Sequence, residues 1–266
     1  MHPDLIKLGP LTLHAYGTLL ALSFFLGLLL ARSRAAARGV AERDVLDLFQ
    51  ILIISAILGA RLFFVVFHLD AYAGRWWHIL ALWEGGLTLY GGLLACFLSA
   101  ALFLRRRGVP FLRMADVMAP SLGLGLLFTR IGCFLNGCCF GLPTAGPLGV
   151  CFPAGSEAAR TALSLAAGHA HAGDCVPIHP AQLYSAFAGL LILAALLLID
   201  RRRPYEGATF AAFLLLYGAK RFAVDQFRYY EEAMTVGGLS VNQWLSIALA
   251  GAAVVLHLRA RRRRAA

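Results

Sequence analysis

Arg61, Arg130, Lys220 and Arg221 each lie within, or at one end of, a stretch that is otherwise apolar. Placing a cation in the middle of a bilayer costs at least about 2.5–3.5 kcal/mol on insertion scales, so such residues face a cavity, a counter-charge or an anionic ligand. A guanidinium keeps its charge in low dielectric, and its planar fork matches two phosphate oxygens. Several such groups near one side of a membrane imply an anionic lipid headgroup as ligand. Few acids are placed to neutralise them. Asp225 follows Arg221 by one helical turn and is expected to pair with it, Asp116 lies toward the other end of Arg130's span, and Glu84 precedes the third span.

The densest polar constellation is Thr129-Arg130-Ile131-Gly132-Cys133-Phe134-Leu135-Asn136-Gly137-Cys138-Cys139-Phe140-Gly141. Arg130, Cys133 and Asn136 recur on one helical face, and the glycines let the helix end and the chain turn. Earlier, Trp83-Glu84-Gly85-Gly86-Leu87-Thr88-Leu89-Tyr90-Gly91-Gly92 sets a phenol beside a thin backbone patch. Gly91 and Gly92 there either admit a lipid glycerol or pack another helix closely. Tyr90 can donate to a phosphate or accept a proton, although a phenol is a weak base at neutral pH unless a cation stands near it. His179-Pro180-Ala181-Gln182-Leu183-Tyr184 opens a later span, with His179 as a cap or a catalyst and Gln182 near the interface.

These side chains need a membrane scaffold. The chain is 60% hydrophobic and 14% charged over 266 residues, which does not suit a soluble protein. Seven apolar runs are long enough to cross the bilayer, near 13–31, 45–67, 87–104, 117–134, 182–199, 208–222 and 241–258, the sixth being the weakest. Helices satisfy their own backbone, and the alternating strands of a barrel are missing, so the fold expected is all-α and polytopic, a single domain over 1–266. The first run begins after Met1-His2-Pro3-Asp4, without a basic flank or cleavage site, and reads as a retained span.

Most of the 24 basic residues fall in clusters after alternate runs: Arg32 to Arg43, Arg105 to Arg113, Arg201 to Arg203, and Arg259 to Arg264. The positive-inside rule then puts the C-terminus in the cytoplasm and the N-terminus outside. The net charge of +10 is dispersed over short loops with no aromatic-studded basic face, which argues against nucleic acid and for topology signals touching anionic headgroups. A loop at 137–180 is expected on the outer side, with a small helical piece near 156–167. Tryptophans at 76, 77 and 83, and Tyr229, Tyr230, Glu231 and Glu232 in another outer loop, suit the headgroup layer. Five of the six cysteines, Cys133, Cys138, Cys139, Cys151 and Cys175, lie on that outer side. Disulfides in the loop are the first reading, with connectivity open. Metal ligation ranks below it because Cys138-Cys139 lacks the two-residue spacer of common zinc sites. A reactive thiol and inert packing complete the alternatives, and no cofactor or metal is indicated.

Together these residues resemble the prolipoprotein diacylglyceryl transferases, integral enzymes of the bacterial inner membrane. The resemblance is carried by His14-Ala15-Tyr16-Gly17, Gly59-Ala60-Arg61-Leu62, Trp83-Glu84-Gly85-Gly86, Gly91-Gly92, Arg130-Ile131-Gly132, Asn136-Gly137, Gly141, His179 to Tyr184, Tyr217-Gly218 and Arg221-Phe222. It implies transfer of diacylglyceryl from phosphatidylglycerol to the lipobox cysteine of a prolipoprotein, with signal peptides and membrane lipids as partners. On that reading Arg130, Arg221 and Tyr90 are catalytic. Tyr16, Arg61, Gly91, Gly92, Asn136, Gly141, His179, Gln182 and Asp225 shape the lipid site. Tyr90 stands where the family has a histidine, Cys133 where it has an asparagine, and Cys138 where it has an acidic residue. The same fold with another acceptor, or a non-catalytic lipid binder or transporter, are the competing readings.

Overall fold

The computed structural model describes residues 4–8, 11–72, 74, 76–166, 175–202, 204–230 and 235–265. Arg203, Glu231, Glu232 and the Met1-His2-Pro3 start lie outside them. In chain order the elements are β1 (Asp4–Leu8), β2 (Leu11–His14), α1 (Ala15–Ala35), α2 (Glu42–Phe67), α3 (Leu89–Arg107), α4 (Phe111–Asn136), α5 (Glu157–Leu165), α6 (Ala181–Arg202), α7 (Ala208–Asp225), β3 (Thr235–Val236), β4 (Leu239–Ser240) and α8 (Val241–Ala265), with short 3₁₀ turns after α1 and between α2 and α3. Among the described residues six helices, α1, α2, α3, α4, α6 and α8, are long and apolar enough to span a bilayer. The sixth expected run forms α7, whose 18 residues include Lys220, Arg221 and Asp225, so that it has no 18-residue stretch as sparsely charged as those of the other six. Large side chains such as Phe25, Leu58, Phe97 and Leu198 are exposed on helix flanks. So much uncovered apolar surface suits a hydrocarbon solvent, and the chain is a polytopic membrane protein.

Two small hairpins depart from the all-α expectation. β1 pairs antiparallel with β2, pinned by Asp4, which accepts from His14 Nδ1 at 2.9 Å and pairs with Lys7 at 3.1 Å. β3 pairs with β4 across Gly237 and Gly238, both at positive φ (59° and 80°), as a two-residue primed turn requires.

The chain divides into two compact units, Ala31–Val117 and the remainder. In the first, α2 and α3 cross with their backbones in contact. A Cβ on Gly59 would lie 2.7 Å from the Gly91 carbonyl, and one on Gly91 would strike Phe63 and the Gly59 carbonyl. Gly92 lies 3.0 Å, on the same measure, from the carbonyl of Ala56. The paired glycines, expected in the lipid site, are therefore spent on helix packing. Ser55 and Ser99 share a 2.9 Å hydrogen bond nearby, and Thr88 Oγ1 donates to the Ala60 carbonyl at 3.1 Å. In the same unit Arg38, after α1, pairs with fully buried Asp116 of α4 at 3.0 Å, and Arg107 of α3 with Asp47 of α2 at 2.6 Å.

In the second unit, small residues again set the crossings. Gly123 and Gly189 let α4 and α6 approach, because a Cβ on either would come within 3.0–3.2 Å of the opposite backbone or side chain. Gly218 does the same for α7 against the Ser246 carbonyl of α8. Ser121 Oγ donates to the Gly27 carbonyl at 2.7 Å, tying α4 to α1. The loop after α4 has a small core of Phe140, Phe152, Ala158, Ala162 and Ile178, closed by a disulfide between Cys151 and Cys175. α5 occupies the helical piece expected near 156–167. It is capped by Ser156 Oγ, which accepts from the Ala159 amide at 3.2 Å and so satisfies a backbone donor of the first turn.

Candidate active site

α4 ends in a Schellman turn. Gly137, at φ 77°, donates its N–H to the Phe134 carbonyl at 3.2 Å, and the Cys138 N–H reaches back to the Cys133 carbonyl at 3.1 Å. The strand-like run that follows is held on both sides. Gly141 N–H donates to the His179 carbonyl at 3.0 Å, Leu142 N–H to Phe227 at 2.9 Å, and Tyr229 N–H to Phe140 at 3.2 Å. Gly141 has no room for a side chain, since a Cβ would sit 2.5 Å from the His179 carbonyl and strike that of Phe227. It brings three chain segments together. The result is a single locus where the ends of α4 and α7 and the starts of α1 and α6 contribute side chains.

Four cations share that locus. Lys220, buried on α7, lies in the field of Arg130, Arg221 and Arg228. It packs over the Tyr217 ring at 5.3 Å. Arg221 donates to the Tyr230 hydroxyl at 3.0 Å, and that hydroxyl donates in turn to Asp225 Oδ1. The expected ion pair between Arg221 and Asp225 is thus replaced by a phenol between them. Asp225 turns instead toward Tyr230 and Ser240, whose hydroxyl also donates to it. Burial, and then the bond it gives Asp225, pushes the Tyr230 phenol above the ordinary tyrosine value, so it stays a donor. Arg228 stacks on the Tyr230 ring at 5.1 Å, and its buried Nε has no acceptor among the described residues. Arg130 is half-buried and makes no hydrogen bond or ion pair to any described residue. Its donors are thus unspent, among three further cations.

Tyr16, at the start of α1, lies against Gly132 of α4 with a ring atom 3.4 Å from where a Cβ would stand, within the field of Arg130 and of Cys133, Cys138 and Cys139. Asn136 is exposed at the end of α4 with its amide beside the Cys138 thiol. The three sulfur atoms of Cys133, Cys138 and Cys139 lie within 4.8 Å of one another. The hydrogen bonds from Cys133 and then Cys138 hold the Cys139 thiol well below its ordinary value, with Arg228 and Arg130 adding to the effect. Gln182, expected near the interface, is 1% exposed. Its Nε2 donates to the Cys138 carbonyl at 2.8 Å, and its Oε1 is buried without a partner among the described residues. His179 Nδ1 meets the Tyr184 hydroxyl at 3.1 Å and packs edge-on to Phe227. A cavity of about 430 Å³ beside this cluster is lined by Cys139, Arg228, Tyr229, Tyr230, Glu157 and Arg160.

The other unit holds the remaining candidates. Arg61, 5% exposed, spends four of its five N–H donors on backbone carbonyls: Ile79 at 2.8 Å, Gly85 at 2.6 Å, Gly86 at 3.3 Å, and His78. It also packs over Tyr72 at 5.5 Å. Expected at the lipid, it is a clamp for the turns joining α2 to α3. Tyr90 is 73% exposed, with no hydrogen bond and no stacked cation among the described residues of its unit. Arg228 is the residue that the sequence reading missed. It lies beyond the apolar run, where a basic residue reads as a loop charge, and the pairing of 140–142 with 227–229 brings it to the site.

The model of the prolipoprotein diacylglyceryl transferase family matches residues 3–259. A phosphatidylglycerol–prolipoprotein diacylglyceryl transferase of Bordetella avium is 34% identical over 98% of this chain and 95% of its own length. Those of Methylibium petroleiphilum and Geobacter sulfurreducens are 34% and 33% identical over 98% and 92% of the chain, and over 97% and 89% of their own lengths. With Arg130, Arg221 and the Asn136-Gly137 turn gathered at one site, and with this likeness running through nearly the whole sequence, the chain belongs to the prolipoprotein diacylglyceryl transferase family.

Proposed function

We propose that this protein transfers the diacylglyceryl group of phosphatidylglycerol to the lipobox cysteine thiol of prolipoproteins, at the outer side of the bacterial inner membrane. The observation that carries the proposal is Arg130, half-buried and without an acceptor among the described residues, in the company of Lys220, Arg221 and Arg228. In the reaction the acceptor thiol gives up its proton to solvent, its sulfur bonds to the glyceryl carbon, the bond from that carbon to the phosphate oxygen breaks, and glycerol phosphate departs with the electron pair. Charge grows on the phosphate in the transition state. Fixed cations that already face it are stabilising without reorganisation, which is the main lever available here. Arg130 and Arg221 hold the phosphate, Lys220 and Arg228 raise the local potential, and Tyr230 and Asp225 aim Arg221. Tyr16 borders the lipid. Asn136, His179, Gln182 and Gly141 build the turn that presents these groups. Tyr90 lacks, within its own unit, the bonded or stacked cation that would fit a phenol for proton abstraction, and it stays outside the proposed machinery.

For the topology, α7 is the seventh span, its charges gathered where it leaves the hydrocarbon to meet the headgroups. Seven spans put the basic ends of α1, α3, α6 and α8 on one cytoplasmic side and leave the N-terminus and the α4–α6 loop outside. Purified protein reconstituted with phosphatidylglycerol and a lipobox peptide should yield the thioether-linked diacylglyceryl peptide by mass spectrometry. Folded protein giving no such product would overturn the assignment.

A further inference from the structure

Cys133, Cys138 and Cys139 are all free thiols, and the transfer described above uses none of them. Their meeting is a product of the fold. In a Schellman turn the residue after the glycine packs on the residue five before it, normally as an apolar contact. Here both positions are cysteines. The chain then adopts φ 61° at Cys139, which among described residues is the only non-glycine at positive φ. That left-handed residue folds the third sulfur back onto the other two, so all three lie within 4.8 Å of one another. The two-residue spacer common in zinc sites becomes unnecessary, because a left-handed backbone does its work.

The spacing suits one ion. Two sulfurs bound to a zinc ion at about 2.3 Å are about 3.8 Å apart in a tetrahedron and at most about 4.6 Å apart. Contraction of about 1 Å is within the reach of cysteine side-chain rotation. Cys133 is buried while Cys138 and Cys139 are half-buried, and Cys139 borders the cavity that also reaches Arg228, giving an entry path. Three thiolates around a dication carry one net negative charge, which Arg130 and Arg228 offset from within the field of Cys139. Gln182 fixes the Cys138 carbonyl, as an outer-shell partner would. We propose that Cys133, Cys138 and Cys139 form a three-thiolate site for one soft, closed-shell dication of the zinc(II) class, with its fourth coordination position next to the cavity beside Arg228. Binding releases thiol protons to solvent and involves no redox change. The proposal stands apart from the transferase reading, since binding is measured without lipid or peptide.

Full-length protein in detergent, with the Cys151–Cys175 disulfide kept and its four free thiols first verified by titration, is dialysed against zinc(II). One equivalent is expected to be retained. Cadmium(II) should give the thiolate-to-metal charge-transfer band with the intensity of three thiolates, a readout on unaltered protein that needs no variant to fold. Cys96→Ser should keep both signals. Cys133→Ser or Cys139→Ser should weaken binding by more than about a hundredfold, beyond the roughly 10–100-fold cost of an outer-shell loss. No zinc on protein whose thiols all titrate would overturn the site. So would zinc retained by the triple serine variant, or a disulfide between any two of the three in protein alkylated in intact cells.

Discussion

Replacing Arg130 with alanine separates a ligand-facing cation from a structural one. In the folded chain its guanidinium bonds to no described residue, so truncation leaves no protein acceptor unsatisfied. It also relieves repulsion with Lys220, which lies in its field. Stability should then change by no more than about 0.5 kcal/mol, the range of substitutions that touch no such feature. Activity should not be spared. A preorganised donor facing charge that develops in the transition state is worth about 2.7–4 kcal/mol, or about 10²–10³ in kcat. Lysine at this position keeps the charge and loses the two-pronged fork, so Arg130→Lys should recover part of the loss. The assay is initial-rate formation of diacylglyceryl peptide in phosphatidylglycerol-containing proteoliposomes, with thermal unfolding followed on the same samples. Retention of more than a tenth of wild-type kcat by Arg130→Ala would refute the reasoning. A loss of activity that merely followed a loss of thermal stability would refute it equally.

Arg61→Ala should show the opposite signature, because it leaves the carbonyls of His78, Ile79, Gly85 and Gly86 without their donor. Unfolding should become easier by at least about 3 kcal/mol, and an unchanged melting temperature would contradict the clamp. Gly91→Ala should destabilise by about 1–3 kcal/mol through overpacking, by collision with Phe63 and Gly59, whereas Gly251→Ala, with open space around it, should not; equal melting shifts would undo the packing argument. Tyr230→Phe removes the hydroxyl between Arg221 and Asp225. It should lower kcat/KM by roughly 10–100-fold, from about 1.5–3 kcal/mol of charge-assisted hydrogen bonding; a rate within twofold of wild type would exclude the bridge from function. Tyr90→Phe should keep turnover within about tenfold, and a fall of roughly 10²–10⁴ would bring the phenol back as a proton-transfer group.

The helices were legible because hydrocarbon solvent imposes length and composition on every span. Even the weakest run, 208–222, is explained by the charges that α7 carries where it enters the site. Arg130 and Arg221 were legible for the same reason, since a cation inside an apolar run costs free energy wherever the chain goes. What sequence could not resolve was whether that cost is met inside the protein. Arg61 and Arg130 look alike in sequence, but the carbonyls that take up Arg61 lie 17–25 residues away on a path of 3₁₀ turns, which no periodicity encodes. Gly91 and Gly92 had two readings, and Gly59, on the facing helix, decides for packing. The Gly237-Gly238 turn was a readable hairpin signal that a search for barrel-length strands passes over. Arg228 had no such signal.

A buried cation therefore becomes informative once its donors are counted against the carbonyls and carboxylates in reach. By that measure Arg61 is consumed, Arg221 is aimed through Tyr230, Arg228 keeps a buried Nε in reserve, and Arg130 is unspent. Lys220 adds charge without competing for position, because it rests on a tyrosine face instead of a carboxylate. Asp225, one helical turn from Arg221, is occupied by two hydroxyls. Had Asp225 closed onto Arg221, fewer of that guanidinium's donors would be free. A hydroxyl inserted between them keeps the carboxylate satisfied while leaving most of the guanidinium fork available, and on the proposed function the cost of holding cations together in low dielectric is met when an anionic lipid arrives.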